Sequence, residues 1–261
     1  MSGEDAVELV VEQQGAVMIA RLNRPEARNA LTPTLIRAIG AAVAQAEASP
    51  DVRAVVLTGT GDRAFCAGMD LKAFTSGGPM VIGDDESAQG FFRLVEGRAG
   101  VPMIGAANAT AVAGGFELLL GCDIIVASTT ASFGLPEVKR GLFPAGGGTF
   151  LATRIPLGIA LEVTLTGDSV SAQRAFDLGL VNALVAPEDV LDTAVAFAHR
   201  IAANGPLAIE VTRELVRLGV TAPERAWDRL RELQPVVFGS EDATEGAMAF
   251  IEKRDPVWKG R

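Results

Sequence analysis

The sequence predicts an α/β fold: a layer of short apolar strands and helices through about residue 150, then a helical appendage. Three observations carry this reading. Arg53–Thr58 and Asp123–Ala127 are nearly all apolar, the pattern of strands buried on both faces of a parallel sheet. Between such runs lie segments whose apolar residues recur at helical spacing. After Pro144 strand-like runs become sparse and helical periods dominate.

The elements follow in order. Glu8–Gln13 and Ala16–Leu22 read as two strands joined at Gln14-Gly15, a hairpin turn. Thr32-Pro33 opens a helix, with the threonine as N-cap and the proline at the first helical position. Its apolar stripe is Leu35, Ile36, Ile39, Ala42, Val43 and Ala46. Arg53–Thr58 is the next strand, and a loop over Gly59–Gly68 leads to a helix start near Asp70. Thr75–Ser87, rich in Gly, Ser and Asp, reads as a connector. A helix near Ala88–Arg98 precedes strand Met103–Ala107, a short helix Gly114–Gly121 and strands Asp123–Ala127 and Ala131–Phe133. The later helices are Ala160–Thr166, Ser171–Leu178, Pro187–Ala203, Pro206–Leu218, Ala222–Phe238 and Glu241–Arg254.

Composition excludes several functions. With 23 Lys plus Arg against 32 Asp plus Glu, the 261-residue chain carries a formal charge of −9 and lacks the clustered cations of a nucleic-acid binder. Two cysteines, Cys66 and Cys122, make no disulfide framework, and the single His199 excludes a multi-histidine metal site. No apolar run approaches the ~18 residues of a membrane span, and the acidic start MSGEDAVELV is unlike a signal peptide. The expectation is a cytoplasmic protein without metal, nucleic-acid or membrane partners.

Chemical potential concentrates in Ala64–Lys72, Val112–Leu118 and Phe133–Gly148, each following a strand. Gly114-Gly115 at a helix start exposes backbone N–H groups with no intrahelical acceptor, where the helix dipole adds positive potential. Such a place can stabilise an oxyanion. Taken alone, the pair reads first as close helix packing. Glu117 lies in the apolar run Phe116–Leu120, where a carboxylate is costly to bury unless paired or functional. Glu137 also has apolar neighbours. If the two shared one pocket, repulsion and desolvation would separate their pKa values into an acid and a base; a helix-face residue and an exposed loop acid are the plainer alternative. In Cys66–Asp70, a backbone N–H near Met69 offers a second oxyanion donor, Asp70 reads as a helix cap, and Cys66 reads as a small core residue.

Together these stretches resemble the crotonase family, the enoyl-CoA hydratase/isomerase superfamily. Asn23–Leu31 matches the signature NRPxxxNAL, and Ala64–Lys72 matches AFxAGxDxK. Val112–Asp123 matches GGGxELxxxCD, and Phe133–Thr149 matches FGxPExxxGxxPxxGGT. The resemblance implies a ββα spiral core over residues 1–200 and a helical C-terminal trimerisation region over 201–261. It implies homotrimers, or hexamers as dimers of trimers. The implied substrate is a 2-enoyl-CoA, hydrated across its 2,3-double bond, with no cofactor beyond the CoA of the thioester itself. The amides of Met69 and Gly114 would hold the thioester oxygen; Glu117 would activate water and Glu137 would protonate C2. CoA-binding positions carried over are Arg24, Ala27, Arg28, Ala64, Ala67, Gly68, Asp70, Leu71 and Lys72, with Ala27 and Ala67 acting largely through backbone groups. Phe250 and Lys259 would reach a CoA held by a neighbouring subunit, although Lys259 reads first as a surface charge.

Departures from the family pattern concern the acyl pocket more than the mechanism. Ala109 and Ala113 stand where glycines are common, Met69 replaces a frequent small residue, and Phe116 and Phe143 are expected to add bulk near the acids. Gly146–Gly148 reads as pocket-lining and structural, Asp123 as a structural hydrogen-bonding residue, and His199 as a surface or packing residue. Phe176 and Trp227 read as helical core or subunit contacts. Two other readings stand beside the hydratase: a different crotonase-type enzyme, such as an isomerase or specialised acyl-CoA hydratase, and a non-catalytic acyl-CoA binder.

Overall fold

The computed structural model describes residues 7–70 and 85–261. Leu71, Lys72 and most of the Thr75–Ser87 connector lie outside the described residues. The strands are β1 (Leu9–Gln14), β2 (Val17–Leu22), β3 (Ala54–Gly59), β4 (Met103–Ala107), β5 (Ala111–Val112), β6 (Ile124–Ser128), β7 (Ser132–Gly134), β8 (Val170–Ser171) and β9 (Ala183–Val185). They form a larger sheet of order β1-β2-β3-β4-β6-β9 and a smaller one of order β5-β7-β8. In the larger sheet only the β1–β2 hairpin is antiparallel; its register runs from Leu9 opposite Leu22 to Gln14 opposite Val17. The remaining pairs are parallel. Accordingly β3 and β4 are buried along their whole length, as their continuous apolar sequences require.

Helix α1 (Pro33–Ala48) starts where the capping signal places it: the Thr32 hydroxyl accepts the Leu35 N–H at 3.0 Å. Its buried face includes the expected stripe, Leu35, Ile36, Ile39, Ala42, Val43 and Ala46. Helix α2 (Glu86–Val95) packs against α1 and is capped by Asp85. Helix α3 (Gly114–Gly121) is short and almost wholly buried.

The α/β layer extends further than the sequence patterning suggests. Strand β9 adds an edge to the larger sheet and β8 pairs with β7, so sheet structure continues to Val185 rather than ending near residue 150. Segments of two and three residues are too short to display an alternation, and their pairing is decided by partners far along the chain.

The chain divides into two compact units, Met1–Ala198 and His199–Arg261, a boundary two residues before the one drawn from the sequence. Within the second unit, Pro206–Thr221 packs on Pro223–Phe238, followed by Glu241–Glu252. The C-terminal tail is tied there by the Trp258 indole, which donates to the Ala203 carbonyl at 2.8 Å, and by Asp242, which accepts the Lys259 and Gly260 N–H groups. No helix among the described residues is long and apolar enough to cross a membrane.

One buried side chain organises the turn that precedes α1. Asn29 is wholly buried in the left-handed region, with φ of 54°. Its Oδ1 accepts the Arg24 N–H at 2.9 Å, and its Nδ2 donates to the carbonyls of Thr60 at 3.0 Å and Ala64 at 2.9 Å. It therefore joins the 24–31 turn to the loop after β3. Asn29→Ala strands one amide and two carbonyls, so urea denaturation should show a loss of about 2–4 kcal/mol. Asn29→Asp, which keeps only the acceptor, should also destabilise.

Candidate active site

The site is built around residues 65–70, which are held between two other segments. On one side the Ala67 N–H donates to the Arg28 carbonyl, the Leu31 N–H donates to that of Gly68, and the Asp70 N–H donates to that of Leu31. On the other side Phe65 N–H donates to Thr110 and Val112 N–H donates to Cys66. Because Gly68 and Asp70 face Leu31, the extended backbone turns the Met69 N–H the opposite way. Gly114, at the start of α3, lies against the neighbouring Gly68. A Cβ placed on Gly68 would lie 3.3 Å from the Gly114 nitrogen, and one on Gly114 would lie 3.9 Å from the Gly68 Cα. Among the described residues, neither the Met69 nor the Gly114 N–H has an acceptor.

Two glycines make this approach possible. Gly68 has φ of +84°, and a side chain there would also press on the Ala113 Cβ at 2.7 Å. A Cβ on Gly115 would lie 2.2 Å from the Cys66 carbonyl oxygen, an overlap that cannot be relieved without moving the backbone. Ala113 itself adopts φ 51°, ψ −133°, outside the regions open to an L residue. Its N–H donates to Gly134 at 2.9 Å, and its carbonyl accepts from Phe116 at 2.8 Å and Glu117 at 3.0 Å, which hold it there.

The carboxylate of Glu117, 6 % exposed, sits one helical turn beyond Gly114. Its Oε1 accepts the N–H groups of Gly146 at 2.7 Å and Gly148 at 2.9 Å. Burial pushes its carboxyl above the usual carboxylate range, and the two amides pull against that rise. Glu137 lies on the single-turn helix Pro136–Arg140. Burial raises its carboxyl too, its own backbone N–H pulls against that rise, and the neighbouring Glu117 charge raises it further against a smaller lowering from Arg140. Glu137 Oε2 is buried without any hydrogen-bond partner among the described residues. The two acids therefore feel each other electrostatically, yet their environments differ. One is fixed by two donors that favour its charge; the other presents an unsatisfied oxygen that a ligand or water can engage.

Beside residues 65–70 opens a cleft of about 390 Å³, lined by Arg28, Arg63, Ala64, Ala67, Thr110 and Val112. Arg28 and Arg63 are exposed cations at its mouth.

A family model described as enoyl-CoA hydratase/isomerase matches residues 12–261. The chain belongs to this family. It is similar to the enoyl-CoA hydratase EchA19 of Mycobacterium tuberculosis, with 39% identity over all of this chain and 98% of the relative. It is also similar to the carnitinyl-CoA dehydratase of Proteus mirabilis, at 38% identity over 95% and 97% of the two chains. A solved enoyl-CoA hydratase structure from Mycobacterium tuberculosis superposes with a TM-score of 0.89 at 43% identity, covering 98% of this chain and 100% of that one. The architecture is thus the crotonase fold, and the chain is a hydratase/dehydratase-like enzyme of the crotonase family.

Within this family fold the structure sorts the residues expected from sequence. Gly68, the neighbour of Met69, packs against Gly114, and Glu117 and Glu137 are electrostatic neighbours. Ala64, Ala67 and Arg28 line the cleft, and Gly68 shapes the amide pair. Arg24 does not serve as an open cation: it is held by Glu8 at 3.1 Å, by Asp70 at 3.4 Å and by the Ala30 carbonyl at 2.6 Å. Asp70 is correspondingly engaged with Arg24. Of the backbone groups of Ala27 and Ala67, the N–H groups donate to the carbonyls of Arg24 and Arg28. The Lys259 ammonium pairs with Glu241 at 2.8 Å, while Phe250 is 86 % exposed.

Packing places the remaining residues. Phe116 is buried and stacked on Phe133 with ring centroids 5.4 Å apart. Phe143, Phe176 and Trp227 are exposed, so the core reading of the last two fails. His199 is exposed, and Asp123 accepts the Met103 N–H as a structural residue. Cys66 is a buried core thiol that desolvation pushes up to about 12. Sequence reading missed Arg63, one position before a recognised motif, and the amide role of Gly146 and Gly148, whose signal was the glycine run itself.

Ala113 supplies a test of the strain at this site. Ala113→Gly removes a Cβ from a conformation that only glycine adopts freely, and the relief outweighs the extra entropy of the unfolded chain. Urea denaturation should show a gain of about 1 kcal/mol.

Proposed function

We propose that this protein is an enoyl-CoA hydratase, adding water reversibly across the 2,3-double bond of a 2-enoyl-CoA. The observation that carries the reading is the pairing of two open amides, Met69 and Gly114, with a buried and a half-buried acid in unlike environments.

Water attacks C3 and the alkene electrons move onto the thioester oxygen, where the two amides stabilise the enolate. Glu117, kept ready to act as a base by its amide donors, takes the proton of the attacking water. Collapse of the enolate draws a proton to C2 from Glu137, whose burial and acidic neighbour favour its protonated form. Transfer of the acquired proton from Glu117 to Glu137 restores the starting state. No separate cofactor enters this scheme, since CoA is part of the substrate. Run backwards, the same steps dehydrate a 3-hydroxyacyl-CoA, which accommodates the dehydratase named among the relatives.

On a chain of net charge −9, Arg28 and Arg63 at the cleft offset the phosphates of CoA. The exposed rings and side chains of Phe143, Phe150 and Leu157 in the first unit, and of Trp227, Phe238 and Phe250 in the second, suit burial between copies of the chain as a homotrimer or dimer of trimers. The enzyme is expected to work in the cytoplasm.

Loss of enoyl absorbance with crotonyl-CoA and longer 2-enoyl-CoAs tests the reading directly, with carnitinyl-CoA assayed for the reverse reaction. Glu117→Gln and Glu137→Gln should each lower kcat by about 100-fold or more; near-native turnover in either removes that residue from the mechanism. The kcat/KM profile should be bell-shaped, falling at low pH as Glu117 is protonated and at high pH as Glu137 is deprotonated. Arg28→Ala and Arg63→Ala should raise KM several-fold, by about 1 kcal/mol of CoA binding each, with kcat preserved.

A further inference from the structure

The turn that holds Glu117 is fastened to α3 at a second point. After Gly146 and Gly148 have donated to the carboxylate, the chain continues through the helical turns Gly148–Thr153 to Arg154. The Arg154 guanidinium Nη1 then reaches back to the C-terminal end of α3, donating to the carbonyls of Leu120 at 2.9 Å and Cys122 at 3.1 Å. The last carbonyls of a helix lack intrahelical donors and carry the negative end of its dipole, so a half-buried cation there is well matched. The segment 146–154 is thus pinned to one short helix twice, once beside each end.

We propose that Arg154 is a positioning residue: by clamping this segment to the C-terminal end of α3, it keeps the Gly146 and Gly148 amides aimed at the Glu117 carboxylate. The proposal rests on the hydratase reading only for its kinetic consequence. Both amide bonds converge on one oxygen, and each weakens steeply once the donor swings off line. Releasing the far end of the segment gives the turn that freedom, and a buried carboxylate that loses donors favours its protonated form. Burial and the Gly146 and Gly148 amides set the Glu117 carboxyl, while the Glu117 charge and Arg140 act on the neighbouring Glu137. Arg154 acts through backbone geometry, by its bonds to the Leu120 and Cys122 carbonyls.

The test compares wild type, Arg154→Lys and Arg154→Gln. Carbon-13 carboxyl NMR titration of Glu117, recorded in a Glu137→Gln background so that one acid of the pair titrates alone, should show the Glu117 midpoint moving to higher pH in Arg154→Gln. Arg154→Lys, with a single-point ammonium, should fall between. In enoyl-CoA hydration the acid limb of the kcat/KM profile should move the same way, with kcat down about tenfold and KM little changed. An unchanged Glu117 titration in a folded Arg154→Gln overturns the proposal, whatever the thermal stability does. If that variant does not fold, an unchanged titration in Arg154→Lys does so. Absence of hydration by the wild type overturns the hydratase reading instead, and the titration still decides the role of Arg154.

Discussion

A carboxylate placed inside an apolar helix constrains everything around it. The Glu117 side chain cannot remain charged in the interior without donors, and α3 has none to offer at that point. Gly146 and Gly148, 29 and 31 residues further on, supply them through backbone N–H groups. That requirement dictates the course of the chain after Pro144: the polypeptide must double back onto the helix it left, with small residues where the carboxylate touches it. A Cβ on Gly146 would stand 3.0 Å from Glu117 Oε2. The same contact separates the two acids chemically. Donors favour the charge on one, while its proximity discourages charge on the other.

The pair of open amides is a second product of crowding. Residues 65–70 lie between the 28–31 turn and the 110–114 segment, whose N–H groups at 28–31, 65, 67, 70, 112 and 113 are occupied. What leaves Met69 and Gly114 open is alternation of the backbone at one and the start of a helix at the other. The space for their approach comes from absent side chains at Gly68 and Gly115. Ala113, in a conformation suited to glycine, shows that the neighbouring backbone is over-determined: three hydrogen bonds hold a residue that would not choose this geometry alone.

Charge is divided between architecture and the cleft. Arg24 stabilises the turn through Glu8 and Asp70 and lies partly buried, whereas Arg28 and Arg63 stand exposed. Residues of one type within a few positions of each other therefore do different work, decided by where carboxylates happen to lie in space. The same holds for the aromatics. Phe116 completes the core by stacking on Phe133, while Phe143 and Trp227 face outward.

Local and pattern-borne features were legible in the amino-acid order. The Thr32-Pro33 cap, the buried stripe of α1, the all-apolar β3 and the hairpin at Gly15 all follow from interactions within a few residues, which spacing records. The four motifs likewise announced the family and the acids Glu117 and Glu137. Only the tertiary structure could decide which amides remain open, that Arg24 is enclosed while Arg63 is not, and that the strands Val170–Ser171 and Ala183–Val185 join sheets begun more than 35 residues earlier. Those outcomes depend on pairing between distant segments, and the sequence of either partner carries no mark of the other until folding brings them within hydrogen-bond reach.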